Sequence, residues 1–238
     1  MIVFIGMETS GELRRRFQAL GHETYSCDVL PSEDGGEGHI VGDVFDTLDD
    51  MWGNGLWPDL AIFHPSCTYL TNSAEWAYSD PDFARYPGVG YHQKVKPETL
   101  VGIERRAARE AALNDVRRIM ALPIKRKAIE NPKGAIGTAI RPPDQIVQPH
   151  SFGCDASKRT CLWLDHLPKL RPTRRAHGRL VDDGRPQLGL FGSGVERFAN
   201  QTDSGENKLS PGPDRWKDRS RTYPGIAAAM AHQWGNLS

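Results

Sequence analysis

Two side chains just past buried apolar runs are the ones best placed to do chemistry. Cys67 follows the run Asp-Leu-Ala-Ile-Phe at residues 59–63 and the turn His64-Pro65-Ser66. A thiol in a proline-fixed turn is held rigidly, and its thiolate is a strong nucleophile. Added to C6 of a pyrimidine, it makes C5 enamine-like, so that C5 can accept an electrophile. The commoner fate of a cysteine that forms no disulfide is burial as a small apolar side chain, and only position argues otherwise. Glu130, in Glu130-Asn131-Pro132, ends another such run. Its carboxyl can meet the N3 and exocyclic amino edge of cytosine and, when protonated, can donate to N3 and assist attack at C6. The plainer role is an acid capping a turn. Arg159, in Lys158-Arg159-Thr160, can hold the O2 edge of a base or position the reacting groups; in isolation it belongs to a surface basic pair.

A second constellation suits a nucleoside. The turn Gly6-Met7-Glu8-Thr9-Ser10-Gly11 follows an apolar run and opens a helix, and Asp28 comes about twenty residues later, where an acid accepts ribose hydroxyls. There is no GxGxxG, and Glu8 beside a helix N-terminus repels a pyrophosphate while suiting the ammonium group of a methionine moiety. Asp43, after Gly42, can take an adenine amino group, although Gly-Asp is also ordinary turn chemistry.

The elements that must carry these residues alternate. Strands are expected at residues 2–6, 23–27, 39–41, 59–63, 127–130 and 159–164, and helices at 11–20 (N-capped by Ser10), about 99–121 and 224–234. In the long helix Leu100, Ile103, Ala107, Ala111, Val116 and Ile119 form the apolar face and the arginines the outer one. Residues 31–38 read as a loop, 72–98 as a long loop over the active face, and 171–215 as irregular or partly mobile. This is an α/β chain with an open sheet and helices on both faces. In such sheets ligands bind beyond the carboxyl ends of the strands, where Glu8, Asp28, Asp43, Cys67 and Glu130 all fall.

The 238 residues suffice for one large domain with a sizeable core. Lys plus Arg equals Asp plus Glu at 30 each, so net charge neither argues for nucleic acid nor excludes it. No apolar run approaches the roughly 20 residues of a membrane span, and the short start Met1-Ile2-Val3-Phe4-Ile5-Gly6 reads as a strand rather than a signal peptide. A cytoplasmic location with no membrane partner is therefore expected, and no protein partner is evident. The four cysteines, Cys27, Cys67, Cys154 and Cys161, form no CxxC pair and should be thiols. Cys154 and Cys161 with His150 and His166 have poor spacing for zinc, and no metal is expected.

In this order the motifs resemble those of the cytosine-5 DNA methyltransferases. That family has a cofactor loop after the first strand, an acid ending the second, Gly-Asp after the third, a Pro-Pro-Cys loop, Glu-Asn and an Arg-rich strand. Their counterparts are Glu8, Thr9, Ser10 and Gly11; Asp28; Gly42-Asp43; Pro65-Ser66-Cys67; Glu130-Asn131; and Arg159. The C-terminal helix ends on Gly235-Asn236, which looks like the Gly-Asn of the family's last cofactor motif. It also looks like a compact group of phage-encoded proteins labelled DNA methyltransferases, through residues 158–164, 211–217 and 220–225. The resemblance implies a Rossmann-like methyltransferase sheet binding S-adenosylmethionine through Glu8, Thr9, Ser10, Gly11, Asp28, Asp43, His64, Pro65 and Asn236. It implies catalysis by Cys67, Glu130 and Arg159, and the cytoplasm of a host cell if the protein is phage-encoded. It divides the chain into a catalytic core (1–164), an irregular insert that is a reduced target-recognition region (165–222), and a helix returning to the core (223–238). The first loop lacks the family's Phe-x-Gly-x-Gly, and Ser66 replaces a proline.

The partner so implied is duplex DNA with a flipped cytosine, read with short or weak sequence preference. Its phosphates would meet basic runs at 105–118, 125–127, 169–179 and 215–221, the last with Trp216 and nearby Tyr223 for stacking. Two other readings stand beside it: a methyltransferase acting on a free pyrimidine mononucleotide, and a catalytically silent DNA-binding or anti-restriction protein.

Overall fold

The computed structural model describes residues 1–72, 74–79, 99–182, 194–208 and 221–237. The chain runs β1 (Ile2–Gly6), α1 (Glu12–Ala19), β2 (Glu23–Asp28), β3 (His39–Val41), α2 (Val44–Gly53), β4 (Leu60–Phe63) and a 3-10 turn (Glu75–Tyr78). It continues through α3 (Gly102–Ala121), β5 (Arg126–Pro132), α4 (Ala135–Ala139), β6 (Gln145–Val147), β7 (Thr160–Asp165), β8 (Arg179–Val181), β9 (Val195–Arg197) and α5 (Pro224–Trp234). Seven strands form one sheet in the order β3-β2-β1-β4-β5-β7-β6. The first five pair in parallel, and β7 lies antiparallel between β5 and β6. The strand order reverses between β1 and β4, the switch point at which α/β sheets open a ligand crevice.

Alternation along the strands sets the two layers. Val3, Ile5, Leu60, Ile62, Ala128 and Leu162 face Leu13 and Phe17 of α1 and Ile226, Met230 and Trp234 of α5. Their neighbours Phe4, Ala61, Phe63, Ile129 and Trp163 face α2, α3 and α4. Strands buried on both faces read as unbroken apolar runs, which is why β1 and β4 are plain in the sequence. The expected open sheet with helices on both faces is thus present.

Several local expectations are corrected. The cap of α1 is Gly11 at φ +66°, not Ser10, although the Ser10 hydroxyl still accepts from the Glu12 N–H at 3.2 Å. α2 is an element the sequence reading passed over. Asp43 caps it, accepting from Phe45 N at 2.8 Å, and Val44, Phe45, Leu48 and Met51 bury its inner face. In α3 the expected face holds at Val116 and Ile119, which are buried, but not in the first turns, where Ile103 is 72% exposed while Arg105 is buried. Arg105 lies over the Tyr69 and Tyr78 rings, and Arg109 over Tyr78 at 3.4 Å, so aromatic faces draw these arginines inward. Of the loop expected at 72–98, only 72 and 74–79 fall among the described residues, as do 221–225 alone of the two C-terminal phrases and 221 of the last basic run. Within 171–215 the described residues include the antiparallel ribbon β8–β9. Among the described residues no helix is long and apolar enough to cross a membrane.

Candidate active site

A cleft of about 420 Å³ lies at the carboxyl ends of the strands. Its lining includes Glu8, Thr9, Ser10, Asp28, Asp43, His64, Pro65, Cys67 and Glu130, and so gathers residues from five separate stretches of the chain. Their common position follows from the fold: each ends a parallel strand or begins the turn after it.

The first turn is built by close approach. A Cβ on Gly6 would lie 2.6 Å from Phe63 and 2.8 Å from Val44, so only glycine lets β1 end here. Met7 then adopts φ +61°, with its N–H on the Cys27 carbonyl at 2.7 Å, and delivers Glu8 to the cleft. The Glu8 carboxylate accepts from Gly11 N at 3.1 Å, Glu12 N at 3.2 Å and the Ser10 hydroxyl. It thereby occupies the positive end of α1, where a phosphate would otherwise bind. Asp28 holds Leu30 N at 3.0 Å through Oδ1. Glu33 closes this side of the cleft by accepting from Thr9 Oγ1 at 2.9 Å and from the Arg221 guanidinium. Among the described residues, the cleft lining carries Glu8, Asp28, Glu33, Asp43, Asp115 and Glu130 against Lys158 and Arg221. That balance suits a ligand with hydroxyls and positive charge.

The Cys67 turn is fixed from three directions. Asn131 Nδ2 donates to the Pro65 carbonyl at 2.7 Å. Ala135 N donates to the Leu70 carbonyl at 2.7 Å, and a Cβ on Gly134 would overlap that same oxygen. Arg109 Nε and the Tyr78 hydroxyl both donate to the Tyr69 carbonyl, at 2.9 and 2.8 Å. The turn itself closes with Leu70 N and Thr71 N on the Cys67 carbonyl at 3.1 and 3.0 Å. Cys67 is half-buried, whereas Cys27 and Cys161 are buried, and burial pushes both of those thiols up.

Glu130 is buried, with Oε2 at 2.9 Å from His64 Nδ1. Burial pushes its carboxyl up, but the His64 hydrogen bond and the Lys158 charge outweigh that and hold it below the usual carboxylate range. These contacts favour the carboxylate form of Glu130. His64 and Asn131 each keep one buried polar atom, Nε2 and Oδ1, without a hydrogen-bond partner among the described residues.

Three expected residues lie elsewhere in the structure. Arg159 is exposed and does not line the cleft, because an extended chain turns neighbours to opposite sides; Lys158 is the cation that faces in. Asn236 sits at the far end of the sheet, where its amide donates to His232 O at 2.8 Å, Gly235 packs on His22, and Leu237 O accepts from Arg126. It is the start of α5, through Arg221 and Thr222, that reaches the cleft. Gly11 stands just outside it as the cap of α1. The sequence reading missed Glu33, Asp115, Arg221 and Thr222; a helix-face count on α3 from Arg105 rather than Ile103 would have turned Asp115 toward the cleft. Among the described residues, no three His, Cys, Asp or Glu side chains converge as a metal site.

No protein-family model matches this chain, and no curated protein matches it.

Proposed function

We propose that the protein is an S-adenosylmethionine-dependent methyltransferase that acts on C5 of cytosine in DNA through Cys67. The observation that carries this reading is the direct coupling of the Cys67 turn to the Glu130-Asn131 strand end within one cleft. Cys67 Sγ forms a bond to C6, the ring electrons move toward N3, and C5 becomes nucleophilic. Glu130 accepts from the exocyclic amino group of the base and faces N3 beside it. Lys158 keeps that edge electrostatically balanced, and Asn131 sets the height of the nucleophile by holding Pro65. Glu8 and Asp28 are placed to take the ammonium and ribose groups of the cofactor, which when bound supplies an electrophilic methyl group. The strand order β3-β2-β1-β4-β5 supports a mononucleotide-sized site beside the switch point. The antiparallel β7 departs from the all-parallel order of a dinucleotide fold.

One observation favours a second reading, a pyrimidine mononucleotide as substrate. Two of the four basic runs are partly spent inside the protein: Arg105 is buried over the Tyr69 and Tyr78 rings with Nη1 on the Leu100 carbonyl, Arg109 holds the Tyr69 carbonyl, and Lys127 is buried on Asp165 at 2.6 Å. Incubation with S-adenosylmethionine carrying a tritiated methyl group separates the two. Label in duplex DNA that disappears in Cys67→Ser supports the first reading, and label in deoxycytidine monophosphate alone supports the second. Absence of label in both, with DNA binding retained, leaves a DNA-binding protein and ends the methyltransferase reading.

A further inference from the structure

The proposed chemistry has a gap that the His64–Glu130 contact can fill. Attack at C6 pushes an electron pair onto N3, which must take up a proton. Glu130, the group beside it in this reading, is held as a carboxylate and has no proton to give. Its partner at 2.9 Å is His64 Nδ1, and both side chains are nine-tenths buried or more, with exposures of 9% and 6%. A ring so placed is poorly explained as packing alone, because its second nitrogen, Nε2, is buried without a hydrogen-bond partner among the described residues. In the charged form both ring nitrogens carry protons, and the Nδ1 proton points at a carboxylate.

We infer that His64 is the proton reservoir of the site, passing a proton through Glu130 to N3 of the base as Cys67 attacks. The inference rests on the methyltransferase reading above. The step balances. The Sγ–C6 bond forms, the C5=C6 pair shifts to C4–C5, and the C4=N3 pair goes to N3. N3 takes a proton from Glu130, which takes one from His64 Nδ1, leaving neutral imidazole. As C5 takes its electrophile, C4=N3 re-forms and the N3 proton returns by the same route; the C5 proton then passes to solvent, the C5–H pair restores C5=C6, and Sγ leaves with the C6–S pair. His64 touches no reacting atom, so it is a positioning residue acting through Glu130. The charged and titratable groups facing this pair are Lys158 from the segment before β7, Cys161 from β7, Cys67 from the turn, Asp115 from α3 and Glu8 from the first turn.

Exchange of the C5 hydrogen of cytosine tests this without any methyl donor. Attack with N3 protonation makes C5 exchange with solvent, so tritium release from [5-³H]cytosine in duplex DNA or in deoxycytidine monophosphate reads the attack step alone. His64→Asn keeps a nitrogen donor for Glu130 but holds no transferable proton. The expected result is a loss of exchange of roughly 100-fold, the scale of a proton-transfer contribution, with DNA affinity unchanged. Exchange within about twofold of wild type in a folded His64→Asn protein overturns the inference and leaves the methyltransferase reading standing. No exchange by the wild type on either substrate overturns the reading itself. Should His64→Asn fail to fold, His64→Gln takes its place, with the same two outcomes deciding the inference.

Discussion

Asn131 donates its side-chain amide to the backbone carbonyl of Pro65 at 2.7 Å, across sixty-six residues of sequence. One bond thus joins the end of β5 to the turn before the nucleophile, and the acid and the thiol are set by the same pair of strands. Replacing Asn131 with Ala leaves the buried carbonyl unsatisfied. We expect a loss of about 1–3 kcal/mol in denaturant unfolding, and a larger fractional loss of kcat than of DNA affinity, because the turn can shift while the surface does not.

Gly134 supports the same turn by lacking a side chain. A Cβ there would strike the Leu70 carbonyl oxygen, which also accepts from Ala135 N at 2.7 Å. Gly134→Ala should lower stability by about 1–3 kcal/mol, the cost of overpacking, and should displace the Cys67 turn. An unchanged melting temperature with full activity would show that the close approach is dispensable.

Much of this framework was legible in the sequence, and the reason is physical. β1, β3 and α5 fall where their apolar runs and the Pro224/Gly235 punctuation put them. Glu8, Asp28, Cys67 and Glu130 could be placed together because a parallel sheet sends every strand end to one edge. What was not legible depends on partners distant in sequence. Arg105 looks like surface until Tyr69 and Tyr78 are folded over it, and nothing local tells that Arg159 turns outward while Lys158 turns in. Nor does spacing reveal that His64 bonds to Glu130.

The loop over α1 carries an acid-sensitive link. Asp34 accepts from Ser32, Gly36 N, and the guanidinium groups of the fully buried Arg14 and of Arg15. Burial pushes its carboxyl up, but these hydrogen bonds outweigh that and hold it well below the usual carboxylate range. The folded value lies below the unfolded value of about 3.9, so the native state binds fewer protons there. Its contribution to stability is fully present above the unfolded value and is lost as pH falls through the folded one. Asp34→Asn should therefore lower stability at pH 7 and flatten the fall in stability below about pH 4. A variant that kept the wild-type acid limb would place that limb elsewhere.

Lys169, Arg171, Arg174 and Arg175 lie exposed on a strap along the β6 edge, which is pinned by the Leu170–Gln145 and Thr173–Ser151 bonds. If this strap meets DNA phosphates, reversing Lys169, Arg171 and Arg174 to Glu should weaken duplex binding. The slope of log affinity against log salt should also shrink by roughly 0.9 for each phosphate that is no longer neutralised. Filter binding at several salt concentrations measures both. An unchanged slope would move the phosphate-binding surface to another face.

The central claim is chemical, and the DNA itself can answer it. DNA from cells expressing the wild-type chain should, on digestion to nucleosides and mass spectrometry, contain 5-methylcytosine above the level in cells lacking the protein. DNA from cells expressing Cys67→Ser to the same level should not. An equal 5-methylcytosine content with the wild type and with Cys67→Ser would contradict the account.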